Sequence, residues 1–118
     1  MKESELQKQI INLIESRGGY SINVMSASKD GVHDVISCYK GRFLSIEVKV
    51  KNNQPSELQL DNGLAVINAG GVSACVWVLG DVEDILDVLD TDFNLINTPK
   101  YLNHFHDLFK QTPKLPRL

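Results

Sequence analysis

A chain of 118 residues with a formal charge of −3 and an isoelectric point near 5.5 has room for one domain whose core needs no disulfide or metal staple. Hydrophobic residues make up 42% and charged residues 23%, the balance of a globular domain, and the negative total argues against a protein that coats nucleic acid. No apolar run approaches membrane-spanning length and Met1-Lys2-Glu3-Ser4-Glu5 does not read as a signal peptide, so a cytoplasmic setting is expected.

In chain order, Leu6, Ile10, Leu13 and Ile14 recur at helical spacing and predict a helix over Ser4–Arg17, ended by Gly18-Gly19. Tyr20–Ser26 has strand character through Ile22 and Val24, and Ser26–Gly31 reads as a polar loop closing on an Asp-Gly turn signal. Two extended runs follow, His33–Tyr39 and Arg42–Val50, about a hairpin turn at Lys40-Gly41. Asn52–Pro55 breaks the second run, and Ser56 is a candidate cap for a helix reaching about Ala69. Ser73–Leu79 then predicts a strand and Val82–Leu89 a short helix. The order is α-β-β-β-α-β-α, an α/β layered fold with a hairpin at its centre. Beyond Asp90, the spacing of Tyr101, Leu102, Phe105, Leu108 and Phe109 predicts one more helix near Pro99–Lys110, followed by an extended Gln111–Leu118. That apolar stripe needs cover from the same chain or a partner.

The hairpin carries the candidate chemistry. Paired about Lys40-Gly41, Asp34 faces Glu47, and Lys49 shares their side of the sheet because strand side chains alternate. Leu44, Ile46, Val48 and Val50 form the other, core-facing set. Like charges directly across a ladder repel, so two carboxylates there with an ammonium beside them suit a hard cation such as Mg²⁺. A solvated outer hairpin face, with Lys49 neutralising a carboxylate, is the alternative from pattern alone. Cys38 and Cys75 fall in strand-like runs and are expected to be buried thiols; neither has a Cys or His at ligand spacing, which speaks against structural zinc. Charge is unevenly spread. Lys40, Arg42, Lys49 and Lys51 oppose only Glu47 between residues 40 and 51, whereas Asp81, Glu83, Asp84, Asp87, Asp90 and Asp92 stand without a cation between 81 and 92. DNA would be drawn to the first region and repelled by the second.

Taken together, a leading helix with an acidic residue, Gly31-Val32-His33-Asp34, then Phe43-Leu44-Ser45-Ile46-Glu47-Val48-Lys49, then Gln59 opening a helix, resemble the PD-(D/E)xK nuclease superfamily, and within it the virus-type replication-repair nuclease (VRR-NUC) domain. The resemblance covers about residues 3–89. It implies a restriction-endonuclease-like αβββαβ core with a mixed sheet flanked by helices, residues 1–90, and a C-terminal helical extension of the same domain, residues 91–118.

It further implies a metal-dependent DNA endonuclease, using Mg²⁺ or Mn²⁺, that hydrolyses phosphodiester bonds and is structure-selective on branched DNA. Asp34 and Glu47 would bind one or two metals with the Val48 carbonyl as a further oxygen ligand. Lys49 would position the attacking water and stabilise charge on the scissile phosphate. Gln59 would orient the Lys49 region or a phosphate. The family commonly adds a Glu from the first helix; Glu3, on the inward stripe, is favoured over Glu5, its alternative role being a first-turn acid complementing the helix dipole. A homodimer acting in DNA replication, repair or recombination, in a bacterial or phage-infected cell, is the implied setting.

His33 stands where the family usually has Pro. By strand alternation it should point away from the Asp34 face and pack rather than act as a base. His104 and His106 are too spread on a helix to form a metal pair, and Trp77 is expected in the core. The rival reading is a non-catalytic DNA-binding or assembly module that retains the nuclease fold. A third is a hairpin face that serves only as an interaction surface.

Overall fold

The computed structural model describes residues 1–91; the expected helix near Pro99–Lys110, its aromatic stripe, His104, His106 and the rest of the extension from residue 92 lie outside the described residues. Seven elements follow one another: α1 (Glu3–Ser16), β1 (Tyr20–Asn23), β2 (Val35–Tyr39), β3 (Arg42–Val48), α2 (Glu57–Asn68), β4 (Val72–Val76) and α3 (Leu79–Leu89). This is the α-β-β-β-α-β-α order read from the sequence. The strands form one sheet in the order β1-β2-β3-β4. Its first two pairings are antiparallel and the β3–β4 pairing is parallel, so the sheet is mixed, with α2 as the crossover between its parallel strands.

The hairpin register is the one the turn predicts. Val35 faces Ile46, Ser37 faces Leu44 and Tyr39 faces Arg42. Lys40 (φ 49°) and Gly41 (φ 80°) both take positive φ, the conformation that lets a two-residue turn follow the right-handed twist of its strands.

One side of the sheet bears Val35, Tyr39, Leu44, Ile46, Val48, Val72, Ala74 and Val76. These join Leu6, Ile10 and Ile14 of α1 and Val82, Ile85, Leu86 and Leu89 of α3 in a single buried cluster. The Tyr39 hydroxyl donates to the Asp90 carboxylate at 2.7 Å, which also pairs with Lys40 and Arg17. Those partners, Lys40 foremost, hold the Asp90 carboxyl well below the usual carboxylate range and moor the end of α3 to the hairpin turn. α3 begins three residues earlier than periodicity alone suggests. Asp81 accepts the N–H groups of Trp77 (3.1 Å) and Val78 (3.4 Å), which caps the helix early and ends β4 at Val76.

α2 covers the other side of β3 and β4. Ser56 caps it as expected, in a reciprocal box: Ser56 Oγ accepts the Gln59 N–H at 3.2 Å and Gln59 Oε1 accepts the Ser56 N–H at 2.8 Å. The cover stops short of β1, leaving Tyr20 (66% exposed), Ile22, Cys38 and Phe43 (45%) in the open on that side. Cys38 is therefore exposed and Cys75 half-buried, and no disulfide joins them. This corrects the expectation that both are buried, since strand membership does not say which face a helix covers. Trp77 is buried, and its Nε1–H donates to the Asn53 carbonyl at 2.9 Å.

Gly31 is where the loop before β2 meets α2. It holds φ at 80°, and a Cβ there would lie 2.6 Å from the backbone carbonyl of Leu58. Only glycine satisfies both conditions. Gly31→Ala is expected to lower stability by about 1–3 kcal/mol, read from urea unfolding; an unchanged midpoint and slope would show that the loop does not need this contact.

Candidate metal and phosphate site

β3 is buried along nearly its whole length on both sides, and it carries Glu47 into the interior at 1% exposure. Asp34 lies just before β2, outside the regular strand. Its backbone carbonyl accepts the Val24 N–H at 2.8 Å, which adds a rung to the β1–β2 ladder. Its Oδ2 accepts the Val48 N–H at 3.1 Å. The side chain is thereby tied to β3 one residue past Glu47. Lys49 continues β3 beyond its last regular residue, its N–H donating to the Val76 carbonyl at 2.9 Å. Its Nζ lies 3.4 Å from Glu47 Oε2, in a pair only 16% and 2% exposed. Asp34, Glu47 and Lys49 thus meet as the register predicts, and the solvated-face reading fails because α2 closes over that part of the sheet.

The electrostatics show what this arrangement lacks. Burial, and then the charge of Asp34, push the Glu47 carboxyl up to about 8 against an ordinary value near 4.5, with Lys49 opposing. Glu47 Oε1 is buried with no hydrogen-bond partner. A buried, unpartnered carboxylate oxygen beside a second carboxylate is a costly feature in a protein, and a divalent cation relieves both defects together. Two carboxylates side by side are the oxygen donors Mg²⁺ or Mn²⁺ takes. The residues present fit such an ion.

The other expected site residues are placed differently. Glu3 is half-buried in the first turn of α1 and Glu5 is exposed, in keeping with the inward stripe. Among the described residues, however, no three His, Cys, Asp or Glu side chains gather into a metal-binding group, so the structure joins Asp34 to Glu47 without a third acid. Gln59 has its side-chain oxygen engaged in the α2 cap. Its backbone carbonyl, by contrast, lies 2.7 Å from His33 Nε2.

His33 is buried, consistent with packing, but not on the expected face. Lying before β2, it escapes strand alternation, and its Nδ1 stands 2.6 Å from Ser45 Oγ and 3.3 Å from Ser73 Oγ, on the same side as Glu47. Burial pushes its pKa below the usual imidazole range. Ser45 and Ser73 escaped the sequence reading altogether. Their one signal was a hydroxyl set between apolar neighbours, Leu44 and Ile46 in one run and Val72 and Ala74 in the other, in strands that later pair.

The basic stretch from 40 to 51 divides in space. Arg42 is buried and Lys40 is paired to Asp90 at the turn, while Lys49 and the exposed Lys51 lie at the opposite end, beside the carboxylates.

No family model matches the chain, and no curated protein matches it. Among solved structures it is similar to a VRR_NUC domain, with a TM-score of 0.63 and 22% identity over 72% of this chain and 94% of that one. It is also similar to Hjc, a Holliday junction resolvase from Archaeoglobus fulgidus, with a TM-score of 0.52 and 15% identity over 64% and 67% of the two chains. The fold is therefore the restriction-endonuclease-like one that the sequence resembles, with its mixed sheet and flanking helices.

A carboxyl raised in the folded state binds more protons there than in the unfolded chain between pH 4.5 and about 8, so metal-free stability should fall as pH rises through that window. Added Mn²⁺ should raise the melting temperature more at pH 8 than at pH 5, and Glu47→Gln should flatten both trends. Melting curves with equal Mn²⁺ shifts at the two pH values would contradict this.

Proposed function

We propose that this chain is a divalent-metal-dependent DNA endonuclease that hydrolyses phosphodiester bonds, acting preferentially on branched DNA. The observation that carries the reading is the pair of half-buried Asp34 and buried Glu47, with Lys49 at its side and one Glu47 oxygen lacking a partner. Purely structural buried carboxylates normally have both oxygens satisfied; here Lys49 reaches one Glu47 oxygen and the other is left without a partner, beside a second carboxylate at the end of a central strand.

In this reading Asp34 and Glu47 hold Mg²⁺ or Mn²⁺ with the Val48 carbonyl as a further ligand, and Glu3 is the α1 acid proposed to complete the set. A bound ion supplies Lewis-acid polarisation of a phosphate oxygen and eases deprotonation of water near neutral pH. The Lys49 ammonium, held close to Glu47, orients the attacking water and offsets the charge that builds on the phosphate. Gln59 contributes through position, its side chain fixing the start of α2 and its carbonyl holding His33. Lys51 lies where a phosphate backbone would pass, and the acidic surface of α3 turns the duplex toward the hairpin side.

The likeness to a Holliday junction resolvase supports junction-like DNA as the substrate class. A small domain with little surface for reading bases fits recognition of shape better than of sequence. We further propose a homodimer, which places two such sites on opposing strands, within replication, repair or recombination.

Purified protein should cut branched DNA faster than linear duplex, and only with Mg²⁺ or Mn²⁺ present. Asp34→Ala and Lys49→Ala should each lower the rate by about 100-fold or more while leaving the melting transition cooperative. Cleavage that survives both substitutions belongs to a contaminant and refutes the assignment, and metal-insensitive DNA binding without cleavage would favour the non-catalytic module.

A further inference from the structure

We infer that His33 is a positioning residue: held in one tautomer between Ser45 and the first turn of α2, it sets the backbone from which Asp34 reaches Val48 and faces Glu47. The inference rests on the proposed function only for what Asp34 does with a metal. The placement of Asp34 itself can be read without one.

The proton order follows from the partners. The Gln59 carbonyl can only accept, so His33 Nε2, 2.7 Å away, carries the hydrogen. A neutral imidazole has one N–H, so Nδ1 is the acceptor, and the hydroxyl 2.6 Å from it, Ser45 Oγ, is the donor. Ser73 Oγ–H then has two acceptors in reach, the Ser45 carbonyl at 3.2 Å and Nδ1 at 3.3 Å. The chain of bonds runs from β4 through β3 and the imidazole to α2, with Ser73, Ser45 and His33 all buried and its last bond, to Gln59, part-buried.

Its effect falls on the next residue. Two further contacts fasten the approach to His33: the Asn62 side-chain amide donates to the Asp30 carbonyl at 3.0 Å, and Gly31 lies flush against Leu58. Beyond His33, Asp34 is held by Val24 through its carbonyl and by Val48 through its carboxylate. His33 is the one side chain in this stretch that ties it both to the central strand and to α2. Without the imidazole, residues 32–34 keep their ends but lose their middle anchor, and Asp34 Oδ2 is free to leave the Val48 N–H. Residues that orient a ligating group in this way shape metal affinity without touching the ion.

The test uses the full chain, first stripped of metal. Nitrogen-15 spectra of the imidazole should show protonated Nε2 and bare Nδ1. In His33→Ala, the Val48 amide should exchange with solvent faster while the remaining amides of β3 keep their protection, a split that simple loss of stability would not produce. His33→Gln, which returns a donor near the Nε2 position, should restore most of the Val48 protection. Calorimetry with Mn²⁺ alone should show affinity lowered about ten- to a hundredfold in His33→Ala. If His33→Ala does not fold, Ser45→Ala decides by the same Val48 reading, with selective loss expected.

An Nδ1–H tautomer, or a Val48 amide indifferent to these substitutions, overturns the inference. So does Mn²⁺ binding equal in wild type and His33→Ala. If wild type binds no Mn²⁺ yet Val48 still responds, the metal reading falls and the positioning role stands.

Discussion

Side chains of an antiparallel pair change faces at every residue, so the place where a hairpin turns decides which side chains can ever meet. Lys40 and Gly41, both at positive φ, close the turn in two residues and leave no slack in the register. That constraint puts Asp34 level with Glu47 and sends Leu44, Ile46 and Val48 together into the core. A slip of one residue would part the carboxylates and turn the apolar set outward. The geometry of the carboxylate pair and the stability of the sheet thus depend on the same turn, and neither can drift without the other.

A second constraint works against the first. β3 sits between an antiparallel and a parallel neighbour and is covered on both sides, which suits Val48 and Ile46 and is unfavourable for Glu47. The carboxylate responds by taking up protons more readily than a solvated glutamate does. Local destabilisation of this kind is common where a site must bind something not present when the chain folds. Lys49 offsets only part of the charge. The group the chain has left incomplete is the one best suited to capture a cation, and the cost is carried by a strand that the large cluster beneath it holds in place.

Much of this was legible in the residues. Alternation in Phe43–Lys49, the Lys40-Gly41 turn and the serine cap of α2 each rest on local rules, and local rules transfer well from sequence to fold. What escaped depends on which helix lies over which part of the sheet. Ser45 and Glu47 share a face with Phe43 and Cys38, and the four were alike by pattern, yet α2 buries the first two and leaves the others open. His33 was misplaced because alternation was extended one step past the start of β2, where the chain bends. Gln59 was expected to orient Lys49 or a phosphate, whereas its side-chain oxygen is engaged in the α2 cap; a capping box and a reach toward phosphate look the same in one dimension. Glu3 was read correctly as inward-leaning, yet inward on α1 does not by itself bring it to the carboxylate pair.

The loop between β1 and β2 divides sharply. From Met25 to Lys29 its residues are exposed, whereas from Asp30 onward each step is pinned against α2 or the sheet. Length and composition can therefore change freely in the first half without disturbing the second. Such a segment, anchored a few residues from Asp34 yet exposed itself, is where chains sharing this scaffold can vary what they contact while the carboxylate pair stays in place.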